Sequence, residues 1–271
     1  ILGKNGKDKH MTVDHTFAIK KFKSLREIYV VFSAATQMPF VTCDSETYND
    51  QIWVFTEQSK MQEFAKSYLE NKIILRGVLV KQEVFHEFYS SIHAMGINEI
   101  VFQDGAITHK LEISSVIKFP DFSKLPENKR PTLNPELKLS AAYFLQAVRR
   151  PGASLDKNAL KPLEEEMSAN LARAQYLLPV MVTKDENGKD RVNAVIMQNQ
   201  KGEKYQPIFS DSMEFAKFCK DKKGAVRLLK MGIQDLNKAL VNEIQGYALN
   251  PQGFHLIMGK EQLAVIIKNY L

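Results

Sequence analysis

Five residues have the types and placement to hold a polar ligand: Thr56 and Glu57, Ser210 and Asp211, and Asn250. Each hydroxyl–acid pair follows an apolar run ending in phenylalanine, Trp53-Val54-Phe55 or Pro207-Ile208-Phe209, and precedes a stretch of helical periodicity. A strand that turns into a helix at such a corner leaves free N–H groups at the helix start, and in open sheets ligands collect outside the carboxyl ends of the strands. Hydroxyls and carboxylates there could bind a small polar molecule. The same pairs are also ordinary helix caps. If capping is their whole role, Ser210 is the cap, and Ser210→Ala costs more stability than Asp211→Asn.

Catalytic and metal constellations are thin. His86 and His93 lie seven apart with Glu83 and Glu87 beside them, but His-Glu-x-x-His is absent, and the four read as a solvated helix face. His109 and His255 fall on corresponding hairpins. Cys43 and Cys219 form neither a disulfide framework nor a ligand spacing, and both read as packing residues. There is no Gly-x-Gly-x-x-Gly, Walker loop or Gly-x-Ser-x-Gly. No catalytic residue, metal or cofactor is assigned.

The elements that must position the two corners occur in two similar series. After a polar stretch to residue 15, expected to be a loosely held tail, a helix is expected over 16–26. Three strands follow at 27–34, 39–43 and 51–55 as a meander. The run Ile28-Tyr29-Val30-Val31-Phe32 is apolar throughout, which suits a strand covered on both faces. A helix then starts at Thr56, with Met61, Phe64, Ala65 and Tyr68 inward. A strand at 73–80 and a helix carrying Phe85, Phe88, Ile92 and Met95 come next, the helix stopped by Gly96. Asp104-Gly105 predicts a tight hairpin, and Ile113, Val116 and Ile117 close the series.

Pro120, Pro126, Pro131 and Pro135 mark residues 119–133 as a linker. Asn134-Pro135 then opens a helix with Leu137, Ala141, Phe144 and Leu145 on one face, and a second helix holds Leu163, Met167 and Leu171. The series repeats: strands at 176–183, 192–197 and 205–209, the Ser210 corner, a strand at 226–229, a helix stopped by Gly246, and a hairpin around Asn250-Pro251-Gln252-Gly253. Leu263, Ile266 and Ile267 echo the closing trio. The expected fold is therefore mixed α+β. It is a tandem duplication of a sheet with helices packed on it, in the order α-β-β-β-α-β-α-β-β-α, with domains at 16–118 and 134–271. Phe55 should match Phe209, Gly96 should match Gly246, and Asp104-Gly105 should match Gln252-Gly253.

A length of 271 residues suits two domains, and 44% apolar with 25% charged residues is an ordinary soluble composition. The long uncharged stretch of residues 28–43 contains Ser33, Thr36, Gln37 and Pro39, so no membrane span is expected and the cytoplasm is the default location. The net charge of +6 belongs to the second half, where 20 basic residues meet 15 acidic ones, against 17 and 16 in residues 1–130. Much of that excess is the run Lys217, Lys220, Lys222, Lys223, Arg227 and Lys230, facing only Asp221. Without interleaved aromatic residues to stack on bases, the run reads as a solvated surface, and nucleic acid is not the expected partner.

Leu177-Leu178-Pro179-Val180, Ile208-Phe209-Ser210-Asp211 and Gly246-Tyr247-Ala248-Leu249-Asn250-Pro251-Gln252-Gly253 resemble, in order and spacing, the pattern of the SseB family of enhanced-serine-sensitivity proteins in its N-terminal domain. Asn134-Pro135-Glu136-Leu137 is similar to that family's start, so the resemblance covers about residues 134–268. Residues 16–118 then look like a diverged copy in which Phe55-Thr56-Glu57 survives and Gln103-Asp104-Gly105 replaces the Asn-Pro turn. The resemblance implies a bacterial α/β protein without an agreed catalytic mechanism. The reading is a non-catalytic protein-interaction or regulatory protein with a protein partner. The alternatives are a small-metabolite enzyme or ligand-binding protein using the two corners, and a nucleic-acid binder using Lys217–Lys230.

Overall fold

A computed structural model describes residues 5–152, 156–220 and 226–271. It shows a mixed α+β protein whose chain divides into two compact units, Ile1–Asp121 with Arg149–Ala153, and Phe122–Val148 with Ser154–Leu271.

In the first unit, α1 (Asn5–Ser24) leads to β1 (Glu27–Ser33), β2 (Thr42–Cys43), β3 (Asp50–Phe55) and α2 (Gln58–Ser67). Next come β4 (Leu75–Lys81), α3 (Phe85–His93), β5 (Glu99–Asp104), β6 (Ile107–Glu112) and α4 (Ile113–Val116). The helix expected from residue 16 thus begins at Asn5, in a stretch that contains no proline to interrupt it. The sheet order is β4-β1-β3-β5-β6, with β2 added to β3. The first three strands are therefore not a meander, because β1 lies between β3 and β4. That central place is what the apolar run of β1 demands, since Ile28, Val30 and Val31 are all buried. On one face Val31, Phe40 and Phe55 pack with Met61 of α2. Phe22 of α1 meets Phe102 of β5 edge-on, with centroids 4.9 Å apart, and lies 5.9 Å from Tyr89 of α3. The hairpin turns at Gly105, φ +59°, as Asp-Gly predicts.

In the second unit, α5 (Pro135–Val148) and α6 (Lys157–Arg173) precede β7 (Gln175–Lys184), β8 (Asp190–Ala194), β9 (Met197–Gln198) and β10 (Lys204–Ile208). There follow α7 (Ser212–Cys219), β11 (Val226–Gly232), α8 (Ile233–Ala239), β12 (Gly246–Leu249), β13 (Leu256–Gly259) and α9 (Lys260–Tyr270). One ladder runs β13-β12-β10-β9 and another β11-β7-β8, joined by an antiparallel bridge from Leu177 to Phe209. Through that bridge the order β11-β7-β10-β12-β13 repeats β4-β1-β3-β5-β6, and β9 lies on β10 as β2 lies on β3. β3 with β5 and β10 with β12 are the parallel pairs.

The ladders also fix which residues correspond. Tyr29 faces Phe55 as Leu177 faces Phe209, so the two phenylalanines match. The glycines do not. Gln51 faces Glu99 as Tyr205 faces Gly246, so Gly246 corresponds to Glu99, three residues beyond Gly96. Glu99 pairs Glu112 as Gly246 pairs Gly259, which sets Gly105 against Gln252, one residue short of Gly253. By the same register Val116 corresponds to Leu263, so the closing trios are also three residues out of step. The reason is that the glycines serve different geometries. Gly96, φ +89°, follows the end of α3, whereas Gly246, φ +152°, lies so close to β13 that a Cβ would sit 2.1 Å from the Met258 carbonyl oxygen.

No helix among the described residues is long and apolar enough to cross a membrane.

Candidate functional site

The polar residues singled out in the sequence separate into two corners, one in each unit. At the first, Thr56 is half-buried and donates from Oγ1 to Asp104 Oδ1 over 3.4 Å, while Asp104 also pairs with Lys21. Glu57 is the exposed N-cap of α2 and makes no side-chain capping bond. This corner is an open helix start with a loose polar turn beside it.

The second corner is closed. Ser210 and Asn250 are fully buried, and Asp211 is 1% exposed. The N-cap of α7 is Asp211, not Ser210: its Oδ1 accepts from the Glu214 N–H at 2.9 Å. Chain direction explains the shift, because Phe209 and Ser210 still bond across the sheet and the helix can begin only after them. Asn250, in the left-handed conformation at φ +46° that asparagine tolerates, grips Ser210 twice. Its Oδ1 accepts from the Ser210 N–H at 2.9 Å and its Nδ2 donates to Ser210 Oγ at 2.8 Å. Ser210 Oγ donates in turn to Asp211 Oδ2 at 3.0 Å.

Two residues outside the anticipated set complete the cluster. Lys138 of α5 donates to Asp211 Oδ2 at 2.9 Å, an ion pair whose side chains are 3% and 1% exposed, and its Nζ lies 3.9 Å from Glu214 Oε1. Asn134, just before α5, donates from Nδ2 to the carbonyls of Ser210 at 2.6 Å and Gln175 at 2.8 Å, and accepts from the Gln175 N–H. Glu214 is buried, with Lys217 donating to its Oε1 at 2.7 Å. A signal for Lys138 was present, since residues 138, 141, 142 and 145 recur at i, i+3, i+4 and i+7 and Ala141, Ala142 and Leu145 are core. A lysine on that stripe is either snorkelling or paired.

Electrostatics agree with the geometry. Burial alone would raise the Asp211 pKa, but the Lys138 charge and hydrogen bonds from the Glu214 N–H, Lys138 and Ser210 reverse that and hold it below the ordinary carboxylate value. We therefore expect Ser210→Ala to cost about 1–3 kcal/mol, because it strands the buried Asn250 amide and removes a donor to Asp211. Asp211→Asn should cost more, since it leaves Lys138 without its close counter-charge. This reverses the order that simple capping by Ser210 gives. Urea denaturation of the two variants measures it, and a larger loss for Ser210→Ala would contradict the assignment.

The remaining candidates lie apart. His93 stacks on Phe119 with ring centroids 3.6 Å apart, and burial lowers its pKa. His86 is exposed, and among the described residues no three His, Cys, Asp or Glu side chains gather as metal ligands. Cys219 packs beside the Leu177, Phe209 and Phe218 cluster, whereas Cys43 is exposed rather than packed. Desolvation and the charges of Asp50 and Asp44 raise the Cys43 pKa, the wrong direction for a nucleophile. Of the basic run, Lys222 and Lys223 lie outside the described residues, and Lys217 is engaged by Glu214.

These features define an α+β unit whose polar corner is built into its own interior. Residues 155–263, which include Ser210, Asp211 and Asn250, match the SseB protein N-terminal domain. The match is narrower than the 134–268 suggested by motifs, so Asn134 and Lys138, just before and within α5, reach the corner from outside the matched segment. No curated protein matches the chain. Among solved structures, Tic22 from Plasmodium falciparum is similar at 10% identity over 92% of this chain and 96% of that one, with a TM-score of 0.22. Anabaena Tic22, described as protein transport, is similar at 11% identity over 84% and 90%, also with a TM-score of 0.22. Scores of that size carry no argument about function.

Proposed function

We propose that this is a non-catalytic protein-interaction or regulatory protein of the SseB type, working in the cytoplasm of a bacterium and built from two copies of one ancestral unit. The observation that carries the reading is the inward closure of the Ser210 corner. Ser210, Asp211 and Asn250 bond to one another, to Lys138 and to the backbone, in a place from which solvent is excluded. A reacting group would have to displace those bonds. Apolar side chains face outward instead: on β4, which among the described residues has a neighbouring strand on one side only, Val78 is 36% and Leu79 43% exposed. An edge of this kind offers backbone hydrogen bonds and side-chain contacts to a partner's extended segment. The shared strand order of the two units supports duplication. A survey of bacterial relatives in which counterparts of residues 16–118 align only with unrelated folds would sink that ancestry.

The test is retention of a partner by the immobilised full chain from a bacterial lysate, read by mass spectrometry. One protein should be held in stoichiometric amount by the wild type and by Ser210→Ala, and lost from Val78→Asp/Leu79→Asp. Turnover of a metabolite by the wild type, abolished in Asp211→Asn without loss of folded protein, would overturn the reading in favour of an enzyme.

A further inference from the structure

Outside the closed corner, the second unit carries an apolar trough of about 380 Å³. Its floor comes from Phe144 of α5, Met167 and Leu171 of α6, and Leu256 and Met258 of β13, and Val265 of α9 stands on its rim at 55% exposure. α9 packs on α6, so two helices wall it, and β13 is the last strand of its sheet. Unbranched methionine side chains in such a floor adapt to a partner's shape.

The charge around the trough decides what fits. Its lining contains two charged residues, Glu164 and Glu261, although the chain as a whole carries +6. Both are exposed, and among the described residues neither carboxylate has a hydrogen bond or ion pair. The neighbouring lysines are turned elsewhere: Lys161 pairs with Glu165 at 3.7 Å, and Lys260 donates to the Asn242 carbonyl at 2.9 Å. The rim therefore offers two uncompensated carboxylates beside an apolar floor. A bound acidic or neutral segment would leave them unpaired, and a basic one would answer both.

We infer that this trough seats a basic amphipathic helix of a partner protein, with its apolar stripe on the floor and lysines or arginines against Glu164 and Glu261. The inference rests on the interaction reading above and names the chemistry of the partner. A helix suits the walls, because a ridge of side chains at i, i+3, i+4 and i+7 fills the groove between two helices. The 11 residues of α9 set the length of one wall. At about 1.5 Å per residue, a partner helix of roughly three turns runs alongside it.

The probe is a fluorescein-labelled 15-residue helical peptide with leucines at that spacing and flanking lysines, compared with the same peptide carrying glutamates for lysines. Anisotropy titration against the full chain should show the lysine peptide binding at least about tenfold more tightly, with the preference shrinking as salt is raised. E164K/E261K should invert the preference and V265D should abolish binding of both. All three changed residues are exposed, so circular dichroism melts should show folded protein in each variant, with E164K/E261K lowered slightly because Glu261 leaves the first turn of α9. Equal affinities for the two peptides, no binding below about 1 mM, or indifference to E164K/E261K would overturn the proposal. So would a dimer in sedimentation that V265D dissolves, since a second copy would then be the occupant. A host protein retained equally by wild type and V265D overturns the trough assignment and leaves the interaction reading standing. Lysine-selective peptide binding with no host protein retained supports the trough and counts against that reading.

Discussion

Replacing Lys138 with methionine should destabilise the second unit by about 3–5 kcal/mol at neutral pH, because it leaves Asp211 buried without its close counter-charge. The methionine matches the stem of lysine and keeps the apolar contacts of α5, so lost packing does not account for such a value. Pairing it with Asp211→Asn should restore much of the loss, since asparagine still caps α7 and no bare charge remains on Asp211. The pH dependence follows from the sign of the shift. Asp211 in the folded wild type titrates below an unfolded carboxyl, so its contribution is complete above the ordinary value of about 3.9 and is lost as pH falls through the depressed one. In Lys138→Met the attraction is gone and burial raises the pKa. The variant then recovers stability as pH falls and the carboxyl takes a proton. The gap between variant and wild type should narrow from pH 7 to pH 5 in urea melts. A loss under about 1 kcal/mol, or a gap independent of pH, would show that the pair does not govern this corner.

Gly246→Ala should be at least as damaging. Here the added Cβ meets backbone, with the Met258 carbonyl oxygen at 2.1 Å and Gly259 Cα at 2.9 Å, and the residue holds φ at +152°. Neither neighbour can rotate away. Strain of about 1–3 kcal/mol for the conformation adds to a similar overpacking cost, and separating β12 from β13 is the only relief. Gly77→Ala is the control. Its Cβ would also lie close to a neighbour, 2.2 Å from the terminal methyl and 2.5 Å from the sulfur of Met61, but that neighbour is the far end of one flexible side chain rather than backbone. Thermal denaturation should show a large drop for Gly246→Ala and a small one for Gly77→Ala. Equal shifts would mean that β13 yields more readily than a paired strand should.

These two sites also show what the sequence made legible. Local chemistry was readable: Phe209 ending a strand, a helix starting at the Ser210-Asp211 corner though with Asp211 rather than Ser210 as its cap, Asp104-Gly105 turning a hairpin, and Asn250 at a bend. What was hidden lies far apart along the chain. Lys138 and Asp211 are 73 residues apart, and Asn134 and Ser210 are 76 apart. A lysine on an apolar stripe names no partner until the sheet brings one to it. The glycines misled for a related reason. Gly96 and Gly246 both stand at the end of a helical pattern, but only contact with β13 reveals that Gly246 answers to a neighbouring strand. Thr56 and Glu57 looked like twins of Ser210 and Asp211, yet among the described residues no buried lysine stands behind them, and their corner stays open.

The sheet edges bear on solubility. A strand with one side unpaired is a template on which a second copy can continue the ladder, the first step of fibre growth. In this chain β4 carries Arg76 and Lys81, and the equivalent strand β11 carries Arg227 and Lys230, all four exposed. Two copies approaching edge to edge therefore bring like charges together along the line where hydrogen bonds would form. A partner strand bearing acids meets no such barrier. Exposed positive charge along β4 and β11 therefore opposes self-pairing at these edges.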